Sequence, residues 1–422
     1  MITSVPPQGA PNHPPRLPRP DEVPRLATPG RHLPAPGTGN TDAFWAGVRR
    51  AGTPLVAPDP LGSAGHRAVT FLWRGGPETR AVQVLPNKLG DPRAPEGNLM
   101  ERVPGTDVWH WTLRLRHDWR GTYDLFADEG GGPEPGTAEY WRRLRGQHRT
   151  DPFNSRTLPR RWGGDPVPYA ELEAAPSAAD WKPRPDTAEG TVTEEKVASA
   201  HLGGERRVWT YLPPGAGPAS APLPVLVLLD GEHWQPRLGL CHLLDNLIAD
   251  GRLPPVAAVL PESVDAATRW AELTCRPEFT AFLTEELLPW AAGRLPLTDD
   301  PARTVLAGQS LGGLTAAYAA LSAPHRFGNA LVQSGSFWWP AAGPEAEWLT
   351  GRIAEGSRLP VRLRLSFGTQ EWVALPAARR LRDTLAAAGY DDASYREFNG
   401  GHDYLCWRTE LADGLVELLG RG

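Results

Sequence analysis

The stretch TVLAGQSLGGLTAAYAALSAP, residues 304–324, decides the fold of the C-terminal half of the chain. It begins as a short apolar run typical of a buried strand, passes through the pentapeptide GQSLG at residues 308–312, and ends as an Ala/Leu-rich run typical of a helix. A G-x-S-x-G pentapeptide between a strand and a helix is the pattern of a nucleophile elbow, because the flanking glycines let two backbones pass closely. The pattern therefore predicts that Ser310 is a catalytic nucleophile.

The helix after this serine predicts where a negative oxygen would be stabilised. The first N–H groups of a helix have no acceptor within it, so the N–H of Leu311 is a candidate oxyanion donor. A second donor is expected from the loop after an early strand, where LLDGEHW occupies residues 228–234. The backbone amides of Gly231 and Glu232 are the candidates there, whereas Asp230 is expected to tie the loop down.

A nucleophilic serine needs a general base, and in this motif class the chain order is serine, acid, histidine. The histidines after Ser310 are His325 and His402. His325 follows a proline at a predicted helix end, which is typical of a surface residue. His402 lies in the loop NGGHDYLCW, between a strand-like run and a terminal amphipathic helix, and is therefore the predicted base.

The acid of such a triad is expected after the penultimate strand, here VRLRLSFG at residues 361–368. Glu371 stands three residues beyond Gly368, the end of that run, and is the predicted acid. Asp383 is an alternative, although it falls inside a helical pattern close to arginines and is typical of a solvated helix face. Asp403, adjacent to His402, is a second alternative.

Patterning divides the chain into four parts. Residues 1–40 contain eleven prolines and few aromatic residues, which predicts a disordered tail. Short alternating runs between Gly/Pro turns predict an Ig-like β-sandwich over residues 41–130, and weak periodicity predicts an irregular connector over residues 131–190. Continuous apolar runs alternating with helix-length segments predict an α/β domain with a parallel sheet over residues 191–422.

Composition excludes several classes of protein. The net charge is −5 and no long run of one sign occurs, so the chain lacks the basic surface of a nucleic-acid-binding protein. The three cysteines, Cys241, Cys275 and Cys406, are too far apart for a disulfide framework or a zinc site, so no metal is expected. No apolar run is long enough to cross a membrane, and residues 1–40 hold no secretory apolar run. These features favour a cytoplasmic protein without a membrane anchor.

The strings LLDGEHW, TRWAEL, SGSFWWP and NGGHDYLCWR resemble the enterochelin (enterobactin) esterase family, within the esterase-D-like α/β-hydrolases. The strings VTFLWRG and DPFNSR are similar to that family's Ig-like N-terminal domain, and the resemblance extends from about Phe44 to Leu419. It implies an α/β-hydrolase catalytic domain preceded by a β-sandwich. It also implies a cytoplasmic serine esterase without a cofactor, with Ser310 as nucleophile, His402 as base and Glu371 as acid.

The substrate implied by the resemblance is the trilactone of a catecholate siderophore, free or ferric, which the family cleaves to dihydroxybenzoylserine units and thereby frees iron. A ferric catecholate is a bulky, flat-faced anion, so its site is expected to offer aromatic faces and arginines. The candidates lie beside the predicted catalytic loops: Trp234, Trp338, Trp339, Trp407, Arg207, Arg269 and Arg408.

Two further expectations concern the pocket wall and the N-terminal domain. Arg269 and Glu272 have i, i+3 spacing, which fits an ion pair at the pocket wall or on a plain helix surface. The N-terminal domain holds Trp73, Trp109, Trp111 and Trp119, and some of this aromatic content exceeds what a sandwich core needs, which suggests that the domain acts as a wall or clamp on the substrate. The alternative function is that of a feruloyl-type or general carboxylesterase of the same fold.

Overall fold

The computed structural model of the chain describes residues 6–7, 13–15, 25–26, 33–92, 94–130 and 136–420. Its contacts divide the chain into two units. The N-terminal unit contains Arg19–Pro176 together with the short segment Asn399–Cys406. The C-terminal unit contains Ser177–Phe398 and Trp407–Gly422. Most of the tail predicted over residues 1–40 lies outside the described residues.

The described part of the N-terminal unit forms two antiparallel sheets with strand orders β1-β2-β5-β4 and β3-β6-β9-β8, and β7 pairs with β6. The strands are β1 (Leu55–Pro58), β2 (His66–Arg74), β3 (Ala81–Pro86), β4 (Glu101–Arg102), β5 (Val108–Arg116), β6 (Arg120–Asp128), β7 (His148–Arg149), β8 (Thr157–Leu158) and β9 (Val167–Glu171). The helices are α1 (Asp42–Ala51) and α2 (Ala138–Arg145). Strands β2, β3, β5 and β6 lie within residues 41–130, where short alternating runs predicted a sandwich.

Both sheets contribute to one hydrophobic core, which makes this unit a β-sandwich. Phe71 of β2 packs edge-on against Tyr123 of β6, with ring centroids 4.9 Å apart. Trp109, Trp111 and Trp119 belong to the same core and are at most 8% exposed. Their indole rings fill the sandwich, so the excess of aromatic residues that suggested a substrate clamp is accounted for by packing.

The irregular connector predicted over residues 131–190 differs from the structure. Helix α2 and strands β7 to β9 lie in this range, and β9 pairs with β6 to complete a sheet of the sandwich. These elements are two to eight residues long, which is too short to give a clear period in the sequence. The N-terminal unit therefore continues to Pro176 instead of ending near residue 130.

Within the described residues, the C-terminal unit is built on an eight-stranded sheet flanked by helices. The strands are β10 (Thr191–Ser199), β11 (Gly204–Leu212), β12 (Val225–Leu228), β13 (Ala257–Pro261), β14 (Thr304–Gln309), β15 (Asn329–Gln333), β16 (Arg362–Gly368) and β17 (Ser394–Phe398). The helices are α3 (Gly231–Trp234), α4 (Leu240–Ala249), α5 (Ala266–Glu272), α6 (Pro277–Ala281), α7 (Leu288–Ala292), α8 (Leu311–Ser322), α9 (Trp348–Glu355), α10 (Ala374–Ala387) and α11 (Tyr404–Leu419), with a π-helical turn at Phe282–Leu287.

The strand order is β10-β11-β13-β12-β14-β15-β16-β17, with β10 and β11 antiparallel to their neighbours and the other strands parallel. Strands β12 to β15 are buried along their whole length, as continuous apolar runs covered on both faces require. Strand β12 lies between β13 and β14. The chain therefore runs from β12 to its neighbour on one side, β13, and then crosses to its neighbour on the other side, β14. Open α/β sheets bind ligands at the carboxyl ends of strands at such a reversal. A β-sandwich followed by this sheet confirms the predicted fold class.

Gly328 and Gly351 allow the packing of this unit to be tested with a matched pair of variants. A Cβ added at Gly328 would lie 2.4 Å from the carbonyl oxygen of Pro301, so the backbone must move. A Cβ added at Gly351, within α9, would meet nothing within 4 Å. We expect Gly328→Ala to lower the free energy of unfolding by about 1–3 kcal/mol. We expect Gly351→Ala to raise it by roughly 0.5–1 kcal/mol, because alanine favours helix. Urea unfolding measures both, and equal shifts would contradict the packing described.

Candidate active site

Ser310 stands at the carboxyl end of β14, where the chain turns into α8. Its backbone has φ 57° and ψ −122°, a conformation that a residue with a side chain rarely adopts. The strained turn is held from β15 and the loop after it: Ser310 N donates to Gln333 O at 3.0 Å, and Ser336 N donates to Ser310 O at 3.0 Å. The hydroxyl oxygens of Ser310 and Ser336 lie 3.4 Å apart. This is the geometry predicted for a nucleophile elbow.

Glycines make the elbow possible. A Cβ at Gly308 would lie 2.5 Å from the carbonyl carbon of Gly312, and a Cβ at Gly313 would lie 3.1 Å from Gly308 O. The first turn of α8 can therefore pack directly on the strand that precedes it. As a result the first N–H groups of the helix, including that of Leu311, lie beside the nucleophile.

A buried ion pair supports the turn from the other side. Asp230, which follows β12 and has φ 66°, is fully buried and accepts two hydrogen bonds from the guanidinium of Arg269, at 2.9 and 2.8 Å. It also accepts a bond from Ser263 Oγ at 2.6 Å. The same guanidinium donates to the carbonyl oxygen of Gln309 at 3.0 Å. Arg269 therefore joins the residue before Ser310 to the residue before Gly231.

The side chain of Gln309 adds a second link between these elements. Its amide nitrogen donates to Asp230, and its amide oxygen accepts from Trp234 Nε1 at 3.1 Å. Trp234 in turn stacks on Trp181, with ring centroids 5.6 Å apart. Gln309, which occupies the variable position before the serine of the pentapeptide, therefore has a structural role in this chain.

The loop proposed to supply the second oxyanion donor has little room for side chains. A Cβ at Gly231 would lie 2.4 Å from Leu260 O, so this position requires glycine. Glu232 is buried, and its carboxylate accepts from Ser263 N at 3.0 Å. Gly231 and Glu232 begin α3, so their amides are the first donors of a helical turn. Both remain candidates for the oxyanion role.

Glu371, the predicted acid, is fully buried beyond the end of β16. Its Oε1 accepts from Ser334 Oγ at 2.6 Å and from Gly368 N at 2.7 Å. Ser334 also accepts from Trp407 Nε1 at 2.8 Å, so its hydroxyl fixes both side chains. A buried carboxylate oriented in this way can stabilise an imidazolium.

The alternative acids have other roles. Asp383 is exposed on α10 and pairs with its neighbour Arg382. Asp403 is buried, accepts from the N–H and hydroxyl of Thr122, and accepts from Cys406 N in the first turn of α11. Asp403 therefore acts as a helix cap and a strand anchor.

The two histidines after Ser310 have different surroundings. His325 is exposed in the turn that follows α8. His402 is half-buried within Asn399–Cys406, the segment that belongs to the N-terminal unit by its contacts. Its backbone N–H and carbonyl both bond the side chain of Asn87.

The tryptophans predicted to hold the substrate do not present open ring faces. Trp234, Trp338, Trp339 and Trp407 are at most 7% exposed. Trp234 is fully buried against Trp181, and the indole N–H of Trp407 is bonded to Ser334. Position beside a catalytic loop did not distinguish core packing from substrate contact, and these four expectations are corrected. The half-buried Trp270, which packs on Trp338 at 6.3 Å, was not predicted.

The predicted arginines are engaged with protein groups. Arg269 binds Asp230 instead of forming the expected pair with Glu272, which is bound by Arg206. Burial raises the pKa of Glu272, against the lowering effect of Arg206. Arg207 is partly exposed but pairs with Glu262 at 2.9 Å. The guanidinium carbon of Arg408 lies 6.0 Å from the ring centroid of Trp181. Substrate contact by Arg207 and Arg408 remains a prediction.

Sequence reasoning missed the serines that shape the site. Ser334 and Ser336 flank Gly335 in the string QSGSFWW and act on Glu371 and Ser310. Hydroxyl residues after a buried strand at the carboxyl edge of the sheet were the available signal.

In the described part of the chain, no cluster of His, Cys, Asp and Glu side chains could hold a metal ion. The described helices include none with the length and apolarity needed to span a bilayer.

Comparison with known proteins agrees with this geometry. Residues 199–418 match a family model described as putative esterase, and residues 68–181 match one described as enterochelin esterase, N-terminal. The chain is 36% identical over 414 residues to an iron(III) enterobactin esterase from Dickeya dadantii, covering 90% of this chain and 93% of that protein. It is 31% identical over 400 residues to an iron(III) salmochelin esterase from Escherichia coli, covering 90% and 94%.

Solved structures agree as well. The ferric enterobactin esterase from Salmonella typhimurium has a TM-score of 0.78 and 34% identity, covering 89% of this chain and 98% of that one. The enterobactin esterase from Shigella flexneri, determined in the presence of enterobactin, has a TM-score of 0.75 and 32% identity, covering 90% and 98%.

The geometry around Arg269 predicts a selective effect of Arg269→Lys. Lysine keeps the positive charge but lacks the planar fork that binds Asp230 and Gln309 O together. We expect kcat on a small aryl ester to fall about tenfold to a hundredfold, since small misplacements at a catalytic turn have large effects. KM should change by less than about twofold.

The matched control for this variant is Arg206→Lys. Arg206 is also buried and pairs with Glu272, the last residue of α5, but it bonds neither Asp230 nor Gln309. Its kcat should stay within about twofold of the unmodified protein. Equal losses of kcat in the two variants would show that a buried charge pair in general, and not the link to Gln309, matters.

Proposed function

The chain belongs to the enterobactin esterase family, and from that premise we propose that it hydrolyses the ester bonds of a catecholate siderophore trilactone. It is a carboxylic ester hydrolase. The observation that carries the proposal is the strained turn at Ser310, which exposes a hydroxyl at the carboxyl edge of the sheet beside helix N-termini. The relatives named above, which act on iron(III) enterobactin or salmochelin, supply the substrate class.

In the proposed acylation step, Ser310 Oγ attacks one lactone carbonyl and His402 accepts the hydroxyl proton. The N–H groups of Leu311 and of Gly231 or Glu232 stabilise the oxygen that becomes negative. The carbon–oxygen bond of the lactone then breaks, and His402 returns the proton to the departing alkoxide of the neighbouring serine unit. Glu371 stabilises the charged imidazole and limits its rotation.

The acyl-enzyme is then hydrolysed by water. His402 removes a proton from the water molecule, the hydroxide attacks the acyl carbon, and Ser310 leaves with the proton. Each cycle converts one ester into a free carboxylate and a free hydroxyl. Three cycles release dihydroxybenzoylserine units from the trilactone and weaken the hold of its catechols on iron.

The proposal includes a cytoplasmic setting and a substrate accepted with or without iron. Cys241, Cys275 and Cys406 are free thiols, which suits a reducing compartment. The positive charge of Arg408 favours an anionic substrate. The half-buried ring of Trp270 offers a surface for an aromatic group.

Incubation with enterobactin, free and ferric, tests the substrate class. We expect dihydroxybenzoylserine and its linear oligomers to accumulate, as measured by chromatography with mass spectrometry. Release by Ser310→Ala and by His402→Ala should be slower by about a thousandfold or more, since nucleophile and base act as one unit.

The control for this test is His325→Ala, which changes an exposed histidine after α8 and should leave turnover unchanged. A protein that cleaves p-nitrophenyl acetate but leaves both forms of enterobactin intact would contradict the siderophore proposal and favour a general carboxylesterase. Retention of activity by His402→Ala would instead contradict the assignment of the base.

A further inference from the structure

We propose that the N-terminal unit positions the catalytic base. The relevant contacts lie within this unit, between the edge of its sandwich and the segment Asn399–Cys406, which carries His402. The proposal rests on the roles proposed above for Ser310 and His402. It gives the β-sandwich a part in the chemical step that does not depend on contact with the substrate.

Asn87 fixes the backbone of the base residue directly. Its Nδ2 donates to His402 O at 3.1 Å, and its Oδ1 accepts from His402 N at 2.9 Å. Asn87 follows β3, and its own N–H donates to Thr122 O of β6 at 2.8 Å. Both peptide groups of His402 are therefore tied to a side chain that is itself anchored to the sheet.

Further bonds hold the segment on the C-terminal side of His402. Asp403 accepts from Thr122 N at 3.0 Å and from Thr122 Oγ1 at 3.1 Å. The carbonyl oxygen of Cys406 accepts from Arg120 Nη2 at 3.2 Å. Arg120 and Thr122 are buried residues of β6, so these partners are held rigidly.

At the start of the segment, Asn399 Nδ2 donates to Asp118 Oδ1 at 2.6 Å. Asp118 lies in the turn between β5 and β6. The residues that bind the segment therefore come from the end of β3, the β5–β6 turn and β6 itself. The residues of the segment that bond to the sandwich extend from Asn399 to Cys406.

Gly401 shows how closely the segment approaches the sandwich. A Cβ at this position would lie 2.5 Å from Asn87 Oδ1 and 2.7 Å from Asn87 O. A glycine directly before the base thus permits the contact that Asn87 makes with His402. The close contact with Asn87 therefore accounts for the glycine that precedes the histidine in the loop motif NGGH.

The consequence concerns the rate of the chemical step. When the backbone of a base residue is released, its imidazole spends less time in the reactive position, and a displacement of about 1 Å can lower the rate about a hundredfold. The affinity for substrate should change little, because these anchors bind the loop that carries His402 and not the substrate. A clamp on the substrate would act on KM instead.

The test compares Asn87→Ala with Asn98→Ala. Asn98 is a buried asparagine of the same unit whose Nδ2 donates to the carbonyl oxygens of Asp91 and Ala94, at 2.7 and 3.2 Å. Both variants lose side-chain bonds to backbone, but only Asn87 bonds His402. The measurements are kcat and KM on a small aryl ester and on the trilactone, the rate at which a small organophosphonate labels Ser310, and urea unfolding midpoints.

For Asn87→Ala we expect kcat to fall about tenfold to a hundredfold on both substrates, with a similar fall in the labelling rate and KM within about twofold. Asn98→Ala should keep kcat and labelling within about twofold, even if its unfolding midpoint falls. Asn87→Asp keeps the acceptor for His402 N–H and loses the donor, so its kcat should lie between those of Asn87→Ala and the unmodified protein. This variant serves as the test if Asn87→Ala does not fold.

Several results would overturn the proposal. One is a higher KM for the trilactone with normal turnover of the small ester, which would make the unit a substrate clamp. Another is an equal fall in kcat for Asn98→Ala, which would trace the effect to general stability. His402→Ala is measured in parallel. If this variant is active, His402 is not the base and the proposed function fails. If it is inactive while Asn87→Ala keeps its kcat, only the proposed role of Asn87 fails.

Discussion

The backbones of Gly308 and Gly312 are so close that one added carbon would collide with the first turn of α8. This constraint determines the geometry of the site. It allows the helix to begin directly at the end of β14, which forces Ser310 into a positive-φ conformation and turns its hydroxyl out of the sheet. Strain of this kind persists only where the surroundings over-determine it. Gln333, Ser336 and the Arg269–Asp230 pair supply that support from neighbouring elements.

The sequence was sufficient to predict features that depend on local pattern. The buried strands of the C-terminal sheet are continuous apolar runs, and the elbow combines a strand, two glycines and a helix within one short stretch, so both were correctly predicted. Strand β10 was missed because most of its residues are exposed and polar. The tryptophans were misassigned because proximity to a catalytic loop in sequence carries no information on burial. Arg269 was assigned to the substrate because its partners, Asp230 and Gln309, are about forty residues away in opposite directions.

The N-terminal unit illustrates a limit that no local pattern can overcome. Asn87 and His402 are separated by 315 residues, and their contact depends on a loop that returns to a domain already completed earlier in the chain. Composition suggested that the aromatic residues of this unit face a ligand, whereas Trp109, Trp111 and Trp119 fill its core. In the role proposed above, the unit acts through Asn87 and Arg120, which bond backbone atoms of Asn399–Cys406, and through Thr122, which bonds the carboxylate of Asp403. Such groups resemble ordinary loop residues until the fold brings them together.

Strand β10 has a consequence for the protein in a crowded solution. It forms one end of the eight-stranded sheet in the described part of the chain, and Glu194, Glu195 and Lys196 along it are exposed. A bare sheet edge is a template on which another extended chain can add and begin an aggregate. A chain that added to this edge would have to desolvate these charged side chains. The free energy of that desolvation is unfavourable, and the new backbone hydrogen bonds would have to outweigh it. The run that gave no strand signal in the sequence therefore also protects the sheet from growing beyond its own chain.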